Sequence, residues 1–129
     1  MNEILKLTVS ELSEKLASRE LSSVELTQAY LDRIDKTEET IGAYITVCGE
    51  TALKSAAEID KRIADGETLS PLAGIPVGIK DNMCTRGLKT TCASRMLENF
   101  VPPYDATVVE KLNAAGAVTL GKLNMDEYA

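Results

Sequence analysis

The sequence predicts an α/β fold, a β-sheet with helical cover and a helical N-terminal segment. Three observations lead there. Apolar residues recur at helical spacing through most of the first half of the chain. Two short runs, 75–80 and 117–120, are apolar or alternating and are bounded by turn residues, as strands are. The elements are ordered helices first, then strand, helix, strand.

The first helix is expected over 8–18. Thr8 and Glu11 have the spacing of a capping box, and Val9, Leu12 and Leu16 follow at helical intervals. Ser22 and Glu25 repeat the device for a second helix, running to about Thr37, with Leu26, Ala29, Tyr30 and Ile34 as its apolar stripe. Two short amphipathic helices in tandem must lie against something larger than themselves. A short strand is expected over 43–47 and a third helix over 51–65, stopped by Gly66. Residues 67–74 form a turn-rich entry to the strand at 75–80, in which Ile75, Val77 and Ile79 alternate. Residues 81–104 show no period, and an irregular stretch of that length inside a compact domain is often functional. A helix is expected over 105–115, with a Thr107 and Glu110 box and Gly116 as its stop, then a strand over 117–120.

The chain has 129 residues, of which 44% are hydrophobic, 26% charged and only 4% aromatic. That is an ordinary globular composition with an aliphatic core, sized for one domain or part of one. The net charge of −6 argues against broad nucleic-acid binding by this segment. No apolar run approaches the length of a membrane span, and the first residues lack the blocks of a signal peptide, so the cytoplasm is expected. Cys48, Cys84 and Cys92 are odd in number and form no CxxC pair, which speaks against a disulfide framework. There is no histidine, which removes Ser-His-Asp and Cys-His chemistry and any His metal ligand. Nucleophile activation here must use another base, and lysine is the usual substitute.

Lys80 is the lysine of interest. It ends a strand whose other positions on the same face are Pro76 and Gly78, small residues that let another backbone come close. Cover would penalise the charged form and yield a neutral amine able to act as a base. The plain alternative is a lysine leaving a strand into solvent. The run from Gly116 to Gly121-Lys122 has phosphate-loop spacing, but Leu123 stands where Ser or Thr should bind magnesium, and the residues between read as a strand. The plain reading there is a helix stop, a buried strand and a turn. Cys84 and Cys92 have no His partner and receive no chemistry. Thr90, Thr91 and Ser94 read as turn hydrogen-bonders, and Asp126-Glu127 as a solvated turn.

The run from Pro71 through Gly74-Ile-Pro76-Val-Gly78-Ile-Lys80-Asp81-Asn82 resembles the first motif of the amidase signature family. Thr90-Thr-Cys-Ala-Ser94, Tyr104-Asp-Ala-Thr107 and Gly116-Ala through Gly121-Lys-Leu-Asn124 follow in the family's order. The resemblance covers essentially the whole chain and is dense from Leu69 onward. It implies a mixed β-sheet covered by helices. Residues 1–129 would be the N-terminal part of a single domain, with 1–68 mainly helical and 69–129 the start of the signature core. It implies a Ser–Ser–Lys triad with Lys80 as its lysine, and Gly74, Pro76, Gly78, Asp81 and Asn82 shaping the site. The family's serine-bearing segment lies beyond the Asn124 region, so the 129 residues are expected to be inactive alone.

Within the family, the segments from Ser94 to Leu112 and from Gly121 to Ala129 resemble the glutaminase components of tRNA-dependent amidotransferases, their A subunits. That resemblance implies hydrolysis of glutamine, with ammonia passed to the amidotransferase B subunit, which converts Glu-tRNA(Gln) or Asp-tRNA(Asn). It also implies a small C subunit between them, ATP and magnesium in the B subunit, and no cofactor or metal in this chain. Misacylated tRNA would be met through the B subunit. Two alternatives stand beside it: a stand-alone amidase of the same family, and a catalytically dead interaction fragment.

Overall fold

In the computed structural model, which describes residues 3–129, α-helices pack on a three-stranded mixed sheet. A short 3-10 turn, Glu3–Lys6, leads into α1, Val9–Ala17. Thr8 caps α1 with the expected reciprocal box: its side chain accepts from the Glu11 N–H, and the Glu11 carboxylate accepts from the Thr8 N–H at 2.7 Å. The same device at Ser22 and Glu25 opens α2, Ser23–Ile41. This helix continues past Thr37 until Gly42, whose left-handed φ of 63° ends it with an N–H to the Glu38 carbonyl. Strand β1, Tyr44–Val47, and helix α3, Gly49–Ala64, fall where the sequence places them.

After the turn-rich entry come β2, Pro76–Lys80, the helix α4, Thr107–Ala114, and β3, Val118–Leu123. Two expectations need correction. The Thr107 and Glu110 box does not form: Ala106 is the N-cap of α4, with no side-chain capping bond, and Thr107 is already helical. The last strand does not turn at Gly121 but runs on through Lys122 to Leu123.

That extension gives β3 the central place in the sheet. The strand order is β1-β3-β2, with β1 antiparallel and β2 parallel to β3. Each pairing carries an irregularity, between Tyr44 and Thr46 against β1 and between Val77 and Gly78 on the β2 side. These bulges re-aim the residues that follow and let the strand continue past the point where its alternation breaks. Gly121 sits at the closest approach. A Cβ there would lie inside the van der Waals envelope of the Thr46 carbonyl oxygen, so only glycine fits.

Two apolar clusters hold the layers together. Leu31 and Ile34 of α2 and Ala52 and Ala56 of α3 pack on Val118 and Leu120 of β3. Leu12 and Leu16 of α1 meet Leu21, Leu26 and Ile75. Each large aliphatic side chain buried in this way contributes about 1.5–3 kcal/mol. A polar tie fixes the register of the helical pair. The Asp60 carboxylate of α3 accepts the N–H groups of Ser23 and Val24 at 2.6 and 3.0 Å, and the buried Ser23 hydroxyl donates to the Gly74 carbonyl at 2.9 Å. Thus α3 supplies acceptors to the first turn of α2, which in turn pins the entry to β2. Among the described residues, no helix is long and apolar enough to cross a membrane.

Candidate functional site

The residues singled out from the sequence run along β2, with Gly74 and Pro76 at its start, Gly78 within it, and Lys80, Asp81 and Asn82 at and just beyond its C-terminal end. Lys80 is the last residue of that strand and pairs with Leu123 of β3. It is half-buried, short of the full cover that the small residues before it imply. Pro76 is half-buried too, and Gly78 is exposed, so the face shared with Lys80 stands open while Ile75 and Ile79 point into the protein. A Cβ at Gly78 would press on the Leu123 side chain. Gly74 is buried at a φ of 79°, where its backbone passes close to Ser23, and Asn82 is exposed.

Full burial falls instead on two neighbours. Asp81 and Lys122 both have 0% of their side chains exposed. The Lys122 ammonium donates to the Met83 carbonyl at 2.7 Å and to Thr90 Oγ1 at 3.0 Å, and stands 3.5 Å from Asp81 Oδ1. The other Asp81 oxygen, Oδ2, accepts from the Thr91 N–H at 2.9 Å and from the Thr91 hydroxyl. The Asp81 backbone is held as well, its N–H donating to the Leu123 carbonyl and its own carbonyl accepting from the Cys92 N–H. Burial pulls the Lys122 ammonium below the ordinary lysine value of 10.5, and the Asp81 carboxylate opposes that pull.

This network organises the aperiodic stretch after β2. Thr90 and Thr91, expected as turn hydrogen-bonders, are buried and bond to Lys122 and Asp81 respectively. Ser94 accepts from the Met96 N–H, capping a short 3-10 turn, Arg95–Leu97, and donates to Glu127 Oε1 at 2.9 Å. The Asp126-Glu127 turn is exposed, as expected, and ties the end of the chain to this loop through that bond. Cys92 and Ala93 both adopt left-handed backbone, with φ of 51° and 53°, a conformation that costs non-glycine residues energy. The three cysteines are free thiols, and Cys84 lies 3.6 Å from the Tyr104 hydroxyl.

A hollow of about 400 Å³ opens beside the loop, lined in part by Thr91, Ala93, Ser94, Asn124 and Thr46. A second, of about 420 Å³, lies between the ends of α1 and α3 and the 66–73 turn. Lys80 lines neither. Sequence reasoning missed Lys122 because its spacing suggests only a phosphate loop. Residues 118–123 form a strand, and the lysine's donors are turned onto protein acceptors. The sequence signal that could have found it is the apolar run Ala117-Val-Thr-Leu120 leading straight into it.

The chain is similar to known proteins in sequence and fold. The profile of the family described as Amidase matches residues 25–129. The A subunit of the glutamyl-tRNA(Gln) amidotransferase of Geobacter sp. (strain M21) is 58% identical over 127 residues, covering 98% of this chain and 26% of that protein. The corresponding A subunit of Carboxydothermus hydrogenoformans is 55% identical over 127 residues, covering 98% of this chain and 26% of its own length. Among solved structures, the native peptide amidase of Stenotrophomonas maltophilia superposes with a TM-score of 0.88 at 42% identity, over 94% of this chain and 25% of that one. The chain therefore spans about a quarter of the length of the curated relatives it matches.

Proposed function

The chain belongs to the amidase family, and from that membership we propose that it is the N-terminal part of the glutamine-hydrolysing A subunit of a tRNA-dependent amidotransferase. The observation that carries this reading is the identity of 55% and 58% to two such A subunits over nearly the whole chain. The 42% shared with the peptide amidase is lower and supports only the amidase fold and chemistry.

In this reading Lys80 is the base of a Ser–Ser–Lys triad. Its side-chain nitrogen takes a proton from a bridging serine, which in turn deprotonates the nucleophilic serine. That serine attacks the side-chain carbonyl carbon of glutamine, the proton taken by Lys80 returns through the bridging serine to the leaving nitrogen, which departs as ammonia, and water hydrolyses the resulting glutamyl ester. Both serines come from the glycine- and serine-rich segment that the family carries beyond these 129 residues. Gly74, Pro76 and Gly78 shape the strand that carries Lys80, and Asp81 and Asn82 begin the loop beside it. The ammonia passes to the B subunit, which uses ATP and magnesium to activate misacylated Glu-tRNA(Gln) or Asp-tRNA(Asn), with a small C subunit packed between. The complex works in the cytoplasm.

The test is ammonia release from glutamine by the full-length protein with its partner subunits. Activity that requires glutamine and supports amidation of misacylated tRNA carries the reading. Hydrolysis of other amides with no response to glutamine would make the protein a stand-alone amidase instead.

A further inference from the structure

We propose that Lys122 is a positioning residue, whose buried ammonium, paired with Asp81, clamps the loop after β2 and thereby fixes the Lys80 amine for proton transfer; this rests on the reading of Lys80 as the catalytic base. Lys122 sits on the central strand opposite Ile79, next to the Lys80–Leu123 pair. Its amine crosses the end of β2 to reach the Met83 carbonyl and Thr90, in the loop. Asp81 follows Lys80 directly, and its carboxylate is divided between two partners. Oδ2 takes both donors of Thr91, while Oδ1, without a hydrogen bond among the described residues, lies 3.5 Å from the ammonium. The backbone on the C-terminal side of Lys80 is thus held by the neighbouring strand and, through a carboxylate, by the loop.

A buried ion pair is a poor way to gain stability, because apolar side chains of like volume do as well or better. What it supplies is direction, since each donor and acceptor accepts one geometry. The geometry here is that of the residue next to Lys80, in a reaction where a small displacement of a proton acceptor is costly.

The experiment uses the full-length enzyme with Lys122→Met, Asp81→Asn and the double variant, measured by thermal unfolding and by steady-state kinetics with glutamine. Each single replacement leaves its partner buried without a counter-charge or its full set of bonds, and lowers the melting temperature. The double replacement removes both charges and recovers most of that loss. Positioning predicts that the double variant, though refolded, stays depressed in kcat by about tenfold or more with KM unchanged. A double variant that regains wild-type kcat along with its melting temperature overturns the proposal, since the pair would then be structural filling alone. If the double variant does not fold, Thr91→Val decides. It removes one hydroxyl from Asp81 and is expected to lower kcat severalfold without changing KM, and unchanged kcat overturns the proposal. Lys80→Ala, run in parallel, separates the two readings. If it keeps full activity the catalytic assignment falls and takes the positioning role with it. If it is inactive while the double variant is fully active, only the positioning role falls.

Discussion

At the scale of single residues, the fold depends on positions where one atom decides. Gly121 is the sharpest. Any side chain there meets the Thr46 carbonyl oxygen and the Tyr44 ring. Both belong to β1, so the strain cannot be relieved by a rotamer change. Gly121→Ala is expected to destabilise the protein by about 1–3 kcal/mol or more, as overpacking does, read as a lowered urea midpoint. Lys122 makes a prediction in pH. Its pKa is lowered by burial, so at alkaline pH below the ordinary lysine value of 10.5 the unfolded state binds more protons than the folded one. This residue therefore contributes a stability that rises with pH across that window, between its depressed folded value and 10.5, and then levels off. Lys122→Met should flatten that slope when unfolding is measured from neutral to alkaline pH. An unchanged slope would show that Lys122 titrates alike in both states.

At the scale of elements, what was legible in the sequence is what is local. The boxes at Thr8–Glu11 and Ser22–Glu25 each close within a single helical turn, and both form. Ser22→Ala should therefore cost about 1 kcal/mol, the usual worth of an N-cap, in thermal or chemical unfolding. The Glu25 carboxylate is held below its ordinary value of 4.5 by the Ser22 N–H and then the Ser22 hydroxyl. The stability that it brings is present above pH 4.5 and is lost as pH falls through its lower folded value. Thr107 and Glu110 have the same spacing without the result, because the chain enters that helix one residue earlier in register. Ala106 is fixed as the N-cap by its N–H to the Cys84 carbonyl, a contact from the preceding loop. The length of β3 was hidden for a related reason. Glycine and lysine after Leu120 read as a turn, whereas two bulges in the neighbouring pairings carry the strand on. The burial of Lys122 depends on Asp81, Met83 and Thr90, tens of residues away, and no periodicity in its own segment encodes them. Lys80 was singled out the other way, through the motif that contains it, and in the structure it is only half-covered.

At the scale of the whole molecule, the sheet is open at both sides. Among the described residues, strands β1 and β2 each have one neighbour, β3, and so present unpaired N–H and C=O groups along their outer edges. Ile45 and Val47 on β1 are exposed, as are Met96, Phe100, Val101 and Tyr104 around the loop. The 129-residue polypeptide by itself is therefore expected to self-associate, or to melt with a midpoint that shifts with concentration. Sedimentation at several concentrations reads this directly, and a monodisperse monomer with a sharp, concentration-independent transition would contradict it. The chemistry assigned to Lys80 is tested by ammonia release from glutamine by the full-length protein, assembled with its partners, compared with Lys80→Ala at equal folded concentration. The variant is expected to keep its fold and lose glutaminase activity to background, while activity near that of the parent would overturn the assignment of Lys80 as the base.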